Sequence, residues 1–160
     1  MICANKYVAL AAIAAGFVVA SASVQAGVTT LTFEIVNNTS APLTLNRASW
    51  DTGLATPGFF DVNALSEHSF EANYQTNFDY PRKTPAILRE VIAYADGKRE
   101  CTFTTVLKVT QSFGVFSPSL ISTRTASATS TGKDDVECSA RVTDKTETAP
   151  LSYSVRFTMG

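Results

Sequence analysis

The chain has 160 residues and carries 13 Lys and Arg against 14 Asp and Glu, a formal charge of −1. That balance gives no electrostatic reason to bind nucleic acid or an anionic membrane strongly. The length is that of one ordinary domain, and a single histidine limits both metal and acid–base chemistry.

Residues 1–26, MICANKYVALAAIAAGFVVASASVQA, follow the plan of a secretory signal peptide. Lys6 precedes an apolar run from Val8 to Ala20, and small residues end in Val24-Gln25-Ala26. The run is shorter than the roughly 20 apolar residues that span a bilayer, and no basic stop-transfer cluster follows. Cys3 precedes the run, which argues against a lipoprotein. Export to the periplasm or the cell exterior is therefore expected, with cleavage after Ala26 and residues 27–160 forming one domain without a transmembrane segment. Cleavage leaves Cys101 and Cys138, which an oxidising compartment is expected to join; two buried free thiols are the alternative. Two cysteines and one histidine cannot build a structural zinc site.

Leu31, Phe33 and Ile35 alternate with polar residues as a first strand, and Leu43-Thr44-Leu45 resumes the pattern after the turn residues Asn37-Asn38-Thr39-Ser40. Both Asn37 and Asn38 open N-glycosylation patterns, read here as turn chemistry in a bacterial-looking precursor. Residues 46–66 break the alternation with Gly53, Pro57 and Gly58, yet hold Trp50, Phe59 and Phe60. Phe70, Ala72 and Tyr74 form another strand, followed by a second irregular stretch with Phe78 and Tyr80 beside Arg82 and Lys83.

Residues 89–109 read as a hairpin about Asp96-Gly97, with a type I′ turn expected there. Cys101, Phe103, Thr105, Leu107 and Val109 share its inward face. Residues 117–132 hold nine Ser or Thr in sixteen positions, which suits either a flexible loop or an exposed edge strand. Val136, Cys138, Ala140 and Val142 share a face, and Leu151, Tyr153, Val155, Phe157 and Met159 alternate as a terminal strand. Seven or eight strands without a helical period predict an all-β fold, a single antiparallel β-sandwich closed by one disulfide.

No nucleophile elbow, zinc-binding HExxH, phosphate loop or dinucleotide fingerprint occurs, so no enzyme, cofactor or metal is expected. His68 reads as a surface histidine, and Asp134, Asp135 and Glu137 as a solvated turn rather than a calcium loop. The aromatics on irregular segments remain: Trp50, Phe59, Phe60, Phe78 and Tyr80 are the candidate contact residues. Their alternative role is to fold into the ends of the core.

The segments FEIVNNTSAPLTLNRASWDTG and PGFFDVNALSEHSFEANY, between Phe33 and Tyr74, resemble the opening of aegerolysin-type proteins. The matching positions are Asn38, Thr39, Leu43, Leu45 and Trp50. The resemblance implies a small secreted β-sandwich that recognises membrane lipids, sometimes beside a pore-forming partner. The residues themselves favour a non-enzymatic binding module presenting aromatic loops to a protein or cell-surface partner. A lipid-binding accessory protein and a subunit of a fimbria-like surface assembly are the other two readings.

Overall fold

Alternating apolar and polar residues recur in eight segments, and each is a strand in the computed structural model, which describes residues 27–50, 58–74, 85–113 and 118–160. The strands are β1 (Thr29–Asn37), β2 (Thr44–Ala48), β3 (Ser66–Tyr74), β4 (Ala86–Ala95), β5 (Glu100–Phe113), β6 (Pro118–Ser130), β7 (Cys138–Lys145) and β8 (Tyr153–Met159). They form two four-stranded sheets, ordered β3-β1-β8-β7 and β2-β4-β5-β6. The expected signal segment and the aromatics Phe78 and Tyr80 lie outside the described residues.

Period-two burial is strict on the two central strands of the first sheet. Leu31, Phe33 and Ile35 on β1 and Val155, Phe157 and Met159 on β8 are at most 1% exposed, while their neighbours face outward. The face expected on β5 is the one the second sheet buries: Cys101, Phe103, Thr105, Leu107 and Val109 are all at 0% exposure. These two faces meet in one sandwich-like core. Phe103 stacks on Phe157 with ring centroids 4.7 Å apart, and the Thr105 hydroxyl donates to the Tyr153 hydroxyl at 3.2 Å.

The Cys101–Cys138 disulfide joins the sheets across a sequence separation of 37, with Cα atoms 5.8 Å apart. The inward-facing partners expected from alternation are thus covalently paired. In the chain-entropy account a loop of this length stabilises the fold by about 4 kcal/mol.

Two expectations are corrected in detail, and one pair of open alternatives is decided. One strand pair is parallel: β1 runs beside β8 from Leu31↔Tyr153 to Asn37↔Met159, so the arrangement is mixed rather than wholly antiparallel. Alternation fixes which side chains face the core but says nothing about which strand lies alongside, or in which direction. The central hairpin turns one residue later than expected, because Asp96 N–H donates to Arg99 C=O at 3.1 Å, leaving Gly97-Lys98 as the loop. Gly97 has φ of 101° while Lys98 is not in the positive region, the pattern of a type II′ loop rather than a type I′ one. The Ser/Thr-rich stretch is a strand: β6 pairs with β5 over its whole length and forms one edge of its sheet.

The last residues of β4 are buried on both faces, although only one faces the core. Two β2 side chains explain this by lying across the outer face. Arg47 reaches the Thr102 hydroxyl at 3.3 Å and Asn46 reaches Glu100 Oε2 at 3.0 Å, covering Ala93 and Ala95.

Candidate functional site

The irregular segment between β2 and β3 is held at its second half by an unusual number of backbone anchors. Leu43 and Val62 exchange both backbone hydrogen bonds, at 2.8 and 3.0 Å, and both side chains sit in the core. The Asn37 side chain, 1% exposed at the end of β1, donates to the carbonyls of Ala41, Val62 and Asn63. Its oxygen accepts from the backbone N–H and the hydroxyl of Thr39, both at 2.8 Å. Leu65 N–H donates to Thr39 C=O at 3.1 Å, and the Tyr94 hydroxyl donates to Phe60 C=O at 3.0 Å. Asn and Thr in a turn are ordinary; a buried Asn that ties two loops together is a structural hub. Asn37, buried with its amide fully bonded, serves as turn chemistry rather than as a glycan acceptor, while Asn38 beside it is exposed.

From this fixed backbone two large apolar side chains project. Phe59 is 49% exposed and Leu65 75%, two of five exposed large hydrophobics among the described residues. Leu65 also has φ of 53°, a left-handed conformation that costs a residue with a Cβ about 1 kcal/mol. Its own burial does not offset that cost, because most of the side chain is in solvent. Strain of this kind is kept where the surrounding structure over-determines it, and it concentrates at contact sites.

The other sequence-derived candidates occupy different depths. Trp50 is half-buried, its ring 5.1 Å from that of Phe33 and 6.1 Å from that of Phe70. Phe60 meets Phe70 edge-on at 4.9 Å, and Phe59 meets Phe60 edge-on at 4.9 Å. An aromatic series thus runs from the core at Phe33 to the surface at Phe59. His68 belongs to it instead of lying free on the surface. Its ring is 5.9 Å from Phe59 and 6.1 Å from Phe70, and its Nε2 is enclosed without a hydrogen-bond partner among the described residues.

Beside Leu65 the outer face of the β3-β1-β8-β7 sheet carries two hollows that share Val36 and Asn38. One, of about 340 Å³, is bounded by Leu65, Ser66 and Glu67. The other, of about 380 Å³, is lined by Ser139, Arg141, Arg156 and Thr158. Arg141 and Arg156 lie directly opposite each other on β7 and β8, as do Ser139 and Thr158. Like charges in that position repel, and Glu34 offsets one of them, accepting from Arg156 Nε at 2.9 Å, with Glu67 3.9 Å from Arg156. The Glu34 carboxylate holds the Arg156 guanidinium above its ordinary range. For Arg141 no acidic partner is found among the described residues. The hollows therefore join a cationic, hydroxyl-rich end to an apolar one.

A second polar group lies between the sheets. Glu90, 7% exposed on the inward face of β4, accepts from the Tyr74 hydroxyl at 2.7 Å and from the Ser49 hydroxyl. Burial, then the bond to Glu90, raises Tyr74 well above the ordinary tyrosine range. Because these groups connect β3, β4 and the residue that follows β2, they act as a clasp between sheets. Among the described residues no three His, Cys, Asp or Glu side chains are placed to hold a metal ion, and no helix is long and apolar enough to cross a membrane.

Comparison with protein-family models and with curated proteins gives no match.

The sequence pointed to Phe59 but not to Leu65, Arg141, Arg156 or the Asn37 hub. Leu65 falls between Ala64 and the polar Ser66-Glu67, outside any strand alternation, and no periodicity marks it. The outward facing of Arg141 and Arg156 follows from alternation alone, but their meeting depends on strand register.

Proposed function

We propose that the chain is an exported, non-enzymatic binding module, a β-sandwich that presents the 58–65 segment to a protein partner. The observation that carries this reading is the pairing of a pinned backbone with exposed apolar tips at Phe59 and Leu65. Recognition surfaces gain affinity when their backbone is ordered before binding, since little entropy is then lost on contact. Loops held by a rigid scaffold are the usual place for such contacts. The Arg141 and Arg156 hollow beside Leu65 supplies a cationic rim to an apolar centre, the order found at protein interfaces.

Phe59→Ser and Leu65→Ser each remove an apolar contact worth about 1.5–3 kcal/mol, so each should weaken partner binding roughly tenfold or more. The identity of the partner need not be known to test the surface. A photo-reactive phenylalanine analogue is placed at position 59, at 65, or at 87, where Ile87 is 59% exposed on the other sheet. Irradiation in the producing cells should give the same protein adduct from positions 59 and 65 and none from 87. Equal adducts from all three positions, or none from 59 and 65, would contradict the proposal.

A further inference from the structure

The two sheets leave four edges, and three carry features that discourage a further strand. β3 bears Glu67 and Glu71; β7 bears charges and a register shift between Val142 and Asp144; β2 is five residues long and shifts between Leu45 and Arg47. β6 differs from all of these. It runs 13 residues in unbroken register with β5, and its one charge is Arg124.

The direction of its free backbone groups follows from one bond. Thr131 N–H donates to Glu100 C=O at 2.8 Å, which makes that opposed pair a hydrogen-bonded one. Alternation along the ladder then turns the N–H and C=O of Thr125 towards β5, and those of Arg124 and Ala126 towards the free edge. An inward charge on an edge strand ordinarily blocks strand addition, because pairing would bury it. Arg124 is already buried. Its side chain is 2% exposed, it donates to the carbonyls of Thr146 and Leu151, and it lies 5.9 Å from the Tyr153 ring centroid. A strand added beside β6 takes no further water from it.

We propose that β6 is the interface between two copies of this chain, paired antiparallel about a two-fold axis at Thr125. Two central registers set free donors against free acceptors. An axis at Arg124 places the two Arg124 side chains opposite each other, whereas an axis at Thr125 places Arg124 opposite Ala126 of the second copy. Directly opposed like charges destabilise a sheet, so the second register is selected. It pairs Leu120 through Ser130 with the same residues reversed and merges two four-stranded sheets into one of eight. Because the same edge serves both copies, the contact closes as a dimer and leaves no β6 edge for a third.

The axis residue provides the test. Thr125 is exposed on the outer face, so Thr125→Lys leaves each chain intact while setting two lysines directly opposite each other. Thr125→Cys sets two thiols at a non-hydrogen-bonded pair, where Cα atoms are about 4.5 Å apart and within disulfide reach. Light scattering on the purified wild-type chain should give twice the single-chain mass. Thr125→Lys should return the single-chain mass with an unchanged far-ultraviolet circular dichroism spectrum, and Thr125→Cys should form a covalent dimer under air. A single-chain mass for the wild type at the highest concentration it tolerates overturns the proposal. So does a dimer that Thr125→Lys leaves whole. Should Thr125→Lys fail to fold, absence of the Thr125→Cys cross-link decides against it.

Discussion

Asn37 uses every hydrogen-bonding position of its amide on the two loops that flank it, so its removal breaks several buried bonds at once. Asn37→Ala leaves the N–H of Thr39 without its partner and takes one of two bonds from the carbonyls of Val62 and Asn63, which keep the Leu43 N–H and the Ser66 hydroxyl. A loss of about 2 kcal/mol is expected in urea unfolding, because one buried group without a partner costs about 1–3 kcal/mol and the carbonyls keep a second donor. At Glu90 the same reasoning applies. Tyr74→Phe keeps the ring but leaves Oε1 bare, and should cost about 1–3 kcal/mol, whereas Tyr74→Phe combined with Glu90→Leu should cost less than the two changes summed. The tyrosines also set a limit at alkaline pH. Burial raises Tyr74, Tyr94 and Tyr153 above their ordinary value of 10.0. Their folded forms hold protons that the unfolded chain releases, so stability is complete below that value and falls as pH rises above it. Melting temperatures measured between pH 8 and pH 11.5 should be level at first and then decline, and less steeply for Tyr74→Phe.

Strands were the most legible elements, for a reason visible in β5. One residue in two faces the core, so Cys101, Phe103, Thr105, Leu107 and Val109 announce their common face without knowledge of any neighbour. The disulfide followed from the same alternation together with the oxidising compartment expected for an exported chain. What alternation cannot carry is pairing. The parallel contact of β1 with β8, and the meeting of Arg141 with Arg156, depend on register between segments far apart in sequence. Leu65 was illegible because a leucine outside any strand alternation has no period, and its exposure depends on loops tied by Asn37. At this scale Arg124 closes the seam between β6 and the β7–β8 connection. Arg124→Ala removes its bonds to the Thr146 and Leu151 carbonyls and its contact with Tyr153. A loss of about 2 kcal/mol is expected in chemical unfolding, since hydrogen bonds from charged groups are worth about 1.5–3 kcal/mol and the freed carbonyls regain water.

For the whole molecule, the core and the proposed contact surface are built from the same aromatic series. Phe33 is at its buried end and Phe59 at its exposed end, with Phe70 and Phe60 between them. This continuity makes the surface stiff, because Phe59 cannot move far without disturbing rings that pack against the core. It also makes Trp50 a reporter of the core, since its ring rests on Phe33 and Phe70. The proposed function requires the 58–65 segment to be ordered before any partner arrives. Amide hydrogen exchange on the free chain tests it most directly, since Val62 and Leu65 N–H donate to Leu43 and Thr39 carbonyls. Both amides should exchange as slowly as those of the neighbouring β3, and Asn37→Ala should accelerate them. Exchange of Val62 and Leu65 at the rate of an unstructured chain would contradict it, because the segment would then acquire its order only on binding.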